Sequence, residues 1–433
     1  MRWYVLCLLC LAAPVAEAQE APPGVVRVRV LSQPAPRQVQ LEPADGALAV
    51  VVDGQSVGRT TGRVTVRTGR GGVTLRGGVD ASGRRVELHG ATVVQAGARS
   101  RTYAGSLVVS AEGLALQLVN HVPMPDYVAS VVASEYPFSE IEGVKAQAVL
   151  ARTYALRRRG ARASYDLDDH QGSQVYGGRT RVTPVSRAAT LATAGEALMY
   201  NGALAESPYS SSSGGHTANN ESVWNGTPLP YLRGVPDPYD ADAPDFRWRT
   251  TASRTDVHRT LSRLYGGRVR GLRVIQSSPT GRVLTVRLDG AHREEITGPQ
   301  LRRAVNAAAG YRTMRSTHVA ITVEGSRYVF TGRGFGHGVG MSQYGARGQA
   351  RAGRSYRDIL AHYFQGTTLD TVQGAIPLVA DASPAAPVSS SRPFQAHPDD
   401  PVVRGSTRAR RWPTPRRQPQ SEASETAPPR RAW

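Results

Sequence analysis

The sequence predicts an α+β protein, in which a helical core combines with antiparallel, strand-rich subdomains. Between residues 25 and 117, alternating apolar and polar residues are separated by glycine-rich turns, which is typical of β-strands. Apolar residues then recur at helical spacing from about residue 126 to beyond residue 154. A second strand-rich block spans residues 269–330 and is interrupted by a predicted helix near 298–309. These three observations define the fold class.

The first twenty residues, MRWYVLCLLCLAAPVAEAQE, have the features of a secretory signal peptide. One arginine precedes a short apolar run, and Ala16-Glu17-Ala18 offers small residues for cleavage, so we expect residues 1–18 to be removed. Both cysteines, Cys7 and Cys10, lie in this segment. We therefore expect a mature protein without disulfides or thiolate chemistry. No later segment is apolar for long enough to span a membrane.

The chain of 433 residues carries a formal net charge of +19. In the cytosol such a charge would suggest nucleic acid as a partner. Export excludes that class and leaves other polyanions, namely peptidoglycan carboxylates, anionic wall polymers and lipid headgroups. Lys145 is the only lysine among the 53 basic residues. A genome rich in G and C would explain the preference for arginine but not the excess of charge.

Composition divides the mature chain into three parts. We predict a β-rich N-terminal region at 19–117 and a larger domain at 118–376, with a β-rich subdomain at about 250–330. Residues 377–433 are rich in Pro, Ser and Arg and have few large aliphatic residues. This segment cannot bury enough apolar area to offset its ordering entropy, so we predict a disordered tail. Adhesion to an anionic wall and a purely passive role both remain open for it.

Two helices are predicted in the first part of the larger domain. The first starts near Asp126 and ends before Pro137, because the residue preceding a proline is disfavoured in the helical region. Ser139 and Glu142 fit the S-x-x-E capping box and predict the start of the second helix, whereas Glu140 is expected to be solvated. The second helix carries a face of small residues that allows close packing, formed by Val144, Ala148, Ala151 and Ala155.

Glu135 is predicted to lie at the C-terminal end of the first helix, where the helix dipole disfavours an anion. Its small apolar neighbours would disfavour ionisation further. Both effects raise the pKa of the carboxyl group, as a general acid that acts near neutral pH requires. The alternative is an ordinary surface glutamate at a helix end.

Four longer motifs follow one another along the chain. They are VPMPDYVASVVASEYPFSEIEGVKAQAVLARTYAL (122–156), DHQGSQVYGG (169–178), ATAGEALMYNGALAESPYSSSSGGHTANNESVW (192–224) and GRGFGHGVGMSQYGARGQARAGRSYRDILAHYFQGTTL (332–369). In content, order and spacing they resemble the motifs of the SpoIID/LytB family, named after stage II sporulation protein D. The resemblance covers about residues 102–369 and is looser over the N-terminal strands.

The resemblance implies a lytic transglycosylase that cleaves peptidoglycan glycan strands, with a preference for strands stripped of stem peptides. In this reaction one acid protonates the glycosidic oxygen, and the 6-hydroxyl of N-acetylmuramic acid closes a 1,6-anhydro ring. A second carboxylate is unnecessary, unlike in ordinary glycoside hydrolysis. The implied acid is Glu135. The LytB side of the family implies an alternative, a non-catalytic glycan-binding protein that enhances a cell-wall amidase.

Substrate-binding residues are implied in all four motifs, namely Lys145, Arg152, Tyr176, Ser212, Ser213, His216, His337 and Gln343. Lys145 would pair either with Glu135 or with a substrate carboxylate, and pairing would lower the pKa of Glu135, so we favour the substrate. The alternating glycines around His337 match neither a dinucleotide fingerprint nor a P-loop, and a tight structural turn is the alternative to a glycan contact. The serine-rich segment lacks a G-x-S-x-G elbow, which argues against acyl transfer.

No metal or other cofactor is expected. Some family members hold zinc through a cysteine and a histidine before the Gln-Val-Tyr segment, but Ser173 stands at the cysteine position here, beside His170. Asp166, Asp168 and Asp169 could bind a harder ion, although a solvated acidic loop is the interpretation we favour. The expected partners are peptidoglycan glycan strands and a cell-wall amidase, without nucleic acid. The expected location is secreted, in the periplasm or the cell wall.

Overall fold

The computed structural model describes residues 24–372, except Arg70 and Asn225. The predicted signal peptide and the predicted C-terminal tail lie outside this part of the chain. Helices and mainly antiparallel strands alternate as the sequence predicts, which confirms the α+β class. No helix between residues 24 and 372 that the structure describes is long and apolar enough to span a membrane.

The N-terminal region forms two antiparallel sheets. Its strands are β1 (Val25–Val30), β2 (Gln38–Pro43), β3 (Leu48–Val52), β4 (Gln55–Thr60), β5 (Val64–Gly69), β6 (Gly72–Arg76), β7 (Ala81–Gly83), β8 (Arg85–His89), β9 (Thr92–Ala96), β10 (Arg99–Tyr103), β11 (Ser106–Glu112) and β12 (Ala115–Pro123). One sheet has the order β1-β12-β11-β8-β3-β4, and the other has the order β10-β9-β2-β5-β6-β7. Alternate side chains point into the core, as Leu48, Val50 and Val52 of β3 illustrate.

Two helices follow directly and pack on each other. Helix α1 (Met124–Glu135) ends before Pro137, as predicted, and its stripe of Val128, Val131 and Val132 is fully buried. Helix α2 (Ile141–Arg158) buries the predicted face of small residues. The predicted capping box is wrong. The N-cap residue is Glu140, which makes no side-chain cap bond, so that Glu142 is the second helical residue and not the third.

The carboxylates near the start of α2 serve other contacts. The Nζ atom of Lys145 lies 2.6 Å from Glu142, and the backbone N–H of Tyr356 donates to the same carboxylate over 2.8 Å. Glu140, predicted to be solvated, instead pairs with Arg347 at 3.0 Å and with Arg351 at 2.6 Å. The predicted capping role of Glu142 and the predicted solvation of Glu140 are both wrong. The C-terminal helices pack on this end of α2, and they bring partners for both carboxylates from more than 200 positions away.

The middle of the chain consists of short elements. They are β13 (Leu167–Asp168), the 3₁₀ helix Arg179–Arg181, α3 (Pro184–Ala192), β14 (Glu196–Tyr200), β15 (Ala203–Leu204), β16 (Tyr209–Ser210), α4 (Glu221–Trp224) and the 3₁₀ helix Pro238–Asp240. Strand β13 extends the first N-terminal sheet by pairing in parallel with β1. This pairing attaches the start of the middle segment to the N-terminal strands.

The acidic loop next to β13 is not solvated, contrary to prediction. Asp166, Asp168 and Asp169 are buried, because arginines of the N-terminal sheets supply counter-charges. The pairs are Asp166 with Arg27 at 2.8 Å, Asp168 with Arg29 at 2.7 Å and Asp169 with Arg101 at 2.9 Å. Within the described residues, no three His, Cys, Asp or Glu side chains form an arrangement that could hold a metal ion.

A second region has its own hydrophobic core, separate from the main one. Its elements are β17 (Trp248–Ser253), α5 (Arg254–Tyr265), β18 (Gly271–Ser277), β19 (Val283–Asp289), β20 (Glu295–Thr297), α6 (Gly298–Ala309), β21 (Val319–Glu324) and β22 (Arg327–Gly332). The strands form two three-stranded antiparallel sheets, β17-β22-β21 and β18-β19-β20. Helices α5 and α6 pack together against this core.

The chain then returns to the main core. The last elements are β23 (Met341–Ser342), α7 (Gln343–Arg351), α8 (Tyr356–Tyr363) and β24 (Thr368–Thr371). Strand β23 pairs in parallel with β16, and β24 pairs antiparallel with β14. The closing motif is thereby placed beside the serine-rich segment and next to the end of α1.

Candidate active site at the end of helix α1

Glu135 is the last residue of α1 and lies where three distant segments meet. Its Oε1 atom accepts a hydrogen bond of 2.7 Å from the backbone N–H of Val175. Its backbone carbonyl accepts a bond of 2.9 Å from the Nε2 atom of Gln343. The carboxyl group is therefore oriented by the Gln-Val-Tyr segment, while the helix end that carries it is held by the closing motif.

Burial raises the pKa of Glu135, and the hydrogen bond from Val175 acts in the opposite direction. Burial is the larger of the two effects, and no charged neighbour in the described structure contributes to the shift. The direction agrees with the sequence prediction. Its main cause is desolvation, which disfavours the charged carboxylate.

Neutral polar side chains surround this acid. The hydroxyl of Tyr127 donates to Gln174 over 2.9 Å, and the amide of Gln174 lies 3.2 Å from the Tyr209 hydroxyl. The amide of Gln343 lies 3.5 Å from Oε1 of Gln147. We call the set Glu135, Gln147, Gln174, Tyr209 and Gln343 the Glu135 cluster. Each of the four sequence motifs contributes at least one of its members.

His337 lies near this cluster in the glycine-rich tract. Its Nδ1 atom accepts a bond of 3.1 Å from the backbone of Val339, and its ring bonds the backbone of Tyr209. Its ring centroid is 5.2 Å from that of Trp224. Burial, together with the positive charges of Arg302 and Arg282, lowers the pKa of His337 to about 4, so the ring is neutral at neutral pH.

Four of the predicted substrate-binding residues are buried and bond to the protein itself. They donate as follows: Arg152 to the carbonyl of Glu196 at 2.8 Å, Tyr176 to Asn120 at 2.8 Å, Ser212 to Asp240 at 2.7 Å and Ser213 to Asp237 at 2.9 Å. Each is less than 5% exposed. The geometry therefore gives these side chains places in the scaffold and provides no support for a ligand contact.

The structure brings Gln343 to Glu135 but gives Lys145 a different carboxylate. Lys145 pairs with Glu142, one turn along the same helix, and lies 5.6 Å from the Tyr356 ring centre. His216 is half-buried, with its Nδ1 atom 2.8 Å from the carbonyl of Thr217. Among the predicted side chains, Gln343 contacts the Glu135 backbone directly, and His337 adjoins the cluster through Tyr209.

A buried pair of carboxylates that was not predicted from the sequence, Asp237 and Asp240, holds the serine-rich segment in place. Asp240 accepts bonds from Ser212 and from Ser342 of the closing motif, and Asp237 accepts from Ser213. Burial and the neighbouring Asp240 raise the pKa of Asp237 to about 7. The run VPDPYDADAPD, which follows the serine-rich segment, was the available signal for this pair.

Arg282 was also missed, and no local pattern distinguishes it in so arginine-rich a chain. Its side chain is fully buried and donates from Nη2 to the carbonyls of Ser213 and His216, at 2.8 and 3.0 Å. Gly338 packs on the guanidinium, since a Cβ atom at that position would lie 2.4 Å from Nη2. Burial lowers the pKa of Arg282 to about 10, so the group is still charged at neutral pH.

Comparison with known proteins agrees with these motifs. The family model described as stage II sporulation protein (SpoIID) matches residues 112–200, and a domain of unknown function (DUF8618) matches residues 239–340. Stage II sporulation protein D of Bacillus subtilis (strain 168) is 31% identical over 272 residues, covering 58% of this chain and 76% of the relative.

Two other relatives show comparable similarity. Stage II sporulation protein D of Bacillus amyloliquefaciens is 30% identical over 269 residues, covering 58% of this chain and 75% of the relative. A protein named amidase enhancer, from Bacillus subtilis (strain 168), is 30% identical over 287 residues, covering 55% of this chain and 39% of the relative. The chain therefore belongs to the stage II sporulation protein D (SpoIID/LytB) family.

Proposed function

We propose that this protein is an exported lytic transglycosylase that cleaves peptidoglycan glycan strands and leaves 1,6-anhydro-N-acetylmuramic ends. The observation that carries the proposal is the environment of Glu135, where one acid with a raised pKa lies among neutral polar groups from four motifs. Membership of the family supports a role related to the cell wall. The features of a signal peptide at residues 1–18 support export to the periplasm or the cell wall.

In the proposed reaction, protonated Glu135 donates its proton to the glycosidic oxygen as the bond from that oxygen to the anomeric carbon breaks. The 6-hydroxyl oxygen of the same N-acetylmuramic residue then bonds to the anomeric carbon, and its proton passes to the Glu135 carboxylate. The acid is regenerated, and no water is consumed. The N–H of Val175 stabilises the carboxylate between the two proton transfers.

One carboxyl group is sufficient for this sequence of steps, whereas hydrolysis with an external water uses two. The buried pair Asp237 and Asp240 does not supply the second one, because its oxygens bond Ser212, Ser213 and Ser342 inside the scaffold. Burial also keeps Glu135 protonated at a higher pH than an exposed glutamate. The raised pKa suits a general acid in either reaction, and the single carboxyl group of the Glu135 cluster favours the intramolecular reaction over hydrolysis.

Strands stripped of stem peptides are the proposed substrate, because they expose lactyl carboxylates to a protein with a net charge of +19. We assign the reaction to the domain at 118–376 and not to the strand-rich region at 19–117. Within the described residues, the hydrogen bonds of Glu135 to distant segments come from Val175 and Gln343 of this domain.

The test is digestion of amidase-treated peptidoglycan with the purified protein, followed by mass spectrometry of the products. We expect anhydro-muramic ends with the natural sequence, and a loss of about 10²- to 10⁴-fold in their rate of formation with Glu135→Gln. Glu112→Gln is the matched control, since it makes the same change at an exposed strand end. Absence of anhydro ends, or equal release by the Glu135 variant, would refute the proposal.

The second candidate function is a non-catalytic glycan-binding enhancer of a cell-wall amidase, and the relative named amidase enhancer favours it. The same preparations distinguish the two functions when an amidase and intact peptidoglycan are added. If Glu135→Gln accelerates the amidase as well as the natural sequence does, and neither protein produces anhydro ends, the enhancer function is the correct one.

A further inference from the structure

A groove of about 850 Å³ crosses the second region and shares no lining residue with the Glu135 cluster. Its walls come from β17, β18, β21 and β22, and every residue that lines it lies within the segment 239–340. That segment matches a domain to which no function is assigned. The volume lies in the range typical of ligand-binding pockets.

The groove is positively charged. Arg247, Arg249 and Arg333 line it together with His318, and none of its lining residues is acidic. The His318 ring adds no charge at neutral pH, because burial and neighbouring arginines lower its pKa to about 4. The positive potential of the groove therefore comes from its arginines.

Two of these arginines have no carboxylate partner among the residues that the structure describes. Arg249 pairs with Glu324 at 2.8 Å. Arg247 and Arg333 are exposed, and neither has a carboxylate within ion-pair distance among residues 24–372 as described. Both guanidinium groups instead lie 6.0 Å from the ring centre of Phe246. Two exposed positive charges thus lie near one aromatic side chain beside the groove, and a ligand carboxylate can form a charge-assisted hydrogen bond with either guanidinium.

The rest of the groove surface is largely aliphatic. Val274, Val319 and Ile321 line it, and Ser277 and Thr331 add hydroxyl groups. Apolar walls with a few polar groups suit a ligand that combines C–H faces with hydroxyls and an anion. A sugar ring that carries a carboxylate has this combination, whereas a bare inorganic ion would leave the apolar walls unused.

We propose that this groove binds an anionic saccharide segment, with its carboxylates bonded to Arg247 and Arg333. The requirement for an anion follows from the arginines, and the choice of a saccharide rests on the proposed function. Gly332 and Arg333 also begin the glycine-rich tract that continues to His337 and Gln343. A glycan strand bound to Arg333 therefore contacts the same tract whose Gln343 bonds the backbone carbonyl of Glu135.

The experiment measures binding by isothermal titration calorimetry on the full chain carrying Glu135→Gln, so that no substrate is turned over. The probes are a muramic acid-containing tetrasaccharide with free lactyl carboxylates, neutral chitotetraose of the same length, and a glycerol phosphate oligomer. The double variant Arg247→Ser/Arg333→Ser removes the two unpaired charges of the groove. The matched control is Arg263→Ser/Arg273→Ser, which removes two exposed arginines of the same region that do not line the groove.

We expect the groove variant to bind the carboxylate tetrasaccharide about tenfold more weakly, because charge-assisted hydrogen bonds to both arginines are lost. The control should bind it within about twofold of the parent. Chitotetraose should bind weakly and equally to all three proteins. Equal affinity of the groove and control variants for the tetrasaccharide would overturn the proposal, and so would tighter binding of the glycerol phosphate oligomer.

Failure here is distinguishable from failure of the proposed reaction. If the natural sequence produces no anhydro ends while binding of the tetrasaccharide still depends on Arg247 and Arg333, the proposed transglycosylase reaction is lost and the groove assignment stands. If anhydro ends form and the groove variant binds like its control, only the groove assignment is lost.

Discussion

The Glu135 cluster and the arginine groove use charge in opposite ways. On helix α2, which packs on the helix that carries Glu135, Arg152 bonds to backbone carbonyls and Lys145 pairs with Glu142. In the groove, Arg247 and Arg333 are exposed and have no carboxylate partner in the described structure. Burial in a low dielectric raises the pKa of an acid catalyst and keeps it protonated. Recognition of a polyanion instead requires exposed cations that the ligand can contact.

The two regions are also separate in their packing. The main core joins the N-terminal sheets to helices α1, α2 and α8, and the second core is confined to the segment from Trp248 to Phe330. Arg282 connects them, since it leaves the second region and donates to carbonyls of the serine-rich segment. Under the two proposals above, the first region performs the chemistry and the second captures the glycan, and Arg282 joins them through its bonds to the serine-rich segment.

The largest expected effect is the pH dependence of activity. Because burial raises the pKa of Glu135, the protonated acid persists above the usual range. The value of kcat/KM should be level at low pH and fall about tenfold per pH unit above that pKa. Initial rates of anhydro-end formation measure this. Groove binding should stay constant over the same range, because arginine does not titrate there. Activity that rises with pH would contradict the assignment.

Arg282→Ala tests whether the two regions are mechanically coupled. The change leaves the carbonyls of Ser213 and His216 without their donor and removes a positive charge near Asp240. We expect the free energy of unfolding to fall by about 2 to 3 kcal/mol, because two carbonyls lose their buried donor and each unsatisfied buried group costs about 1 to 3 kcal/mol. Urea denaturation measures this. The exposed control Arg273→Ala should change it by less than about 0.5 kcal/mol. Equal stability of the two variants would show that the link is absent.

Asp237→Asn tests the buried carboxylates beneath the serine-rich segment. The pKa of Asp237 is raised from 3.8 to about 7, so the folded state favours the protonated form. Its stabilising contribution is therefore complete below about pH 4 and is lost as the pH rises through about 7. The variant should reduce this decline in the free energy of unfolding by up to about 4 kcal/mol, since each of about three pKa units corresponds to about 1.4 kcal/mol. Denaturation at several pH values measures it. The exposed change Asp242→Asn should leave the slope as it is, and an unchanged slope in Asp237→Asn would count against the pair.

Lys145→Arg should have the smallest effect. Lys145 bonds to Glu142 in a partly exposed pair, and arginine can keep that pair, so stability should change by less than about 0.5 kcal/mol. Activity should remain within about twofold. A large loss of activity at unchanged stability would instead show that Lys145 meets a substrate carboxylate. The first region would then also use an accessible cation, and the contrast with the groove would weaken.

Local patterns determined much of this protein. The alternation of apolar and polar residues predicts the N-terminal strands, as in β3. The valine stripe and Pro137 place Glu135 at the end of a helix. The strands and the helix end can be predicted because each depends on residues that are neighbours in the sequence. The four ordered motifs indicate the family. These features required no knowledge of which distant segments meet.

Only the tertiary structure decided which groups surround each of these residues. Glu135 bonds to residues 40 and 208 positions away, and Glu140 and Glu142 take partners from the C-terminal helices. The same holds for the buried acidic loop and for the groove, whose walls come from four strands. Spacing along the chain predicts where a side chain points on its own element. The pKa and the partners of that side chain depend on desolvation and on contacts between elements that are far apart in the sequence.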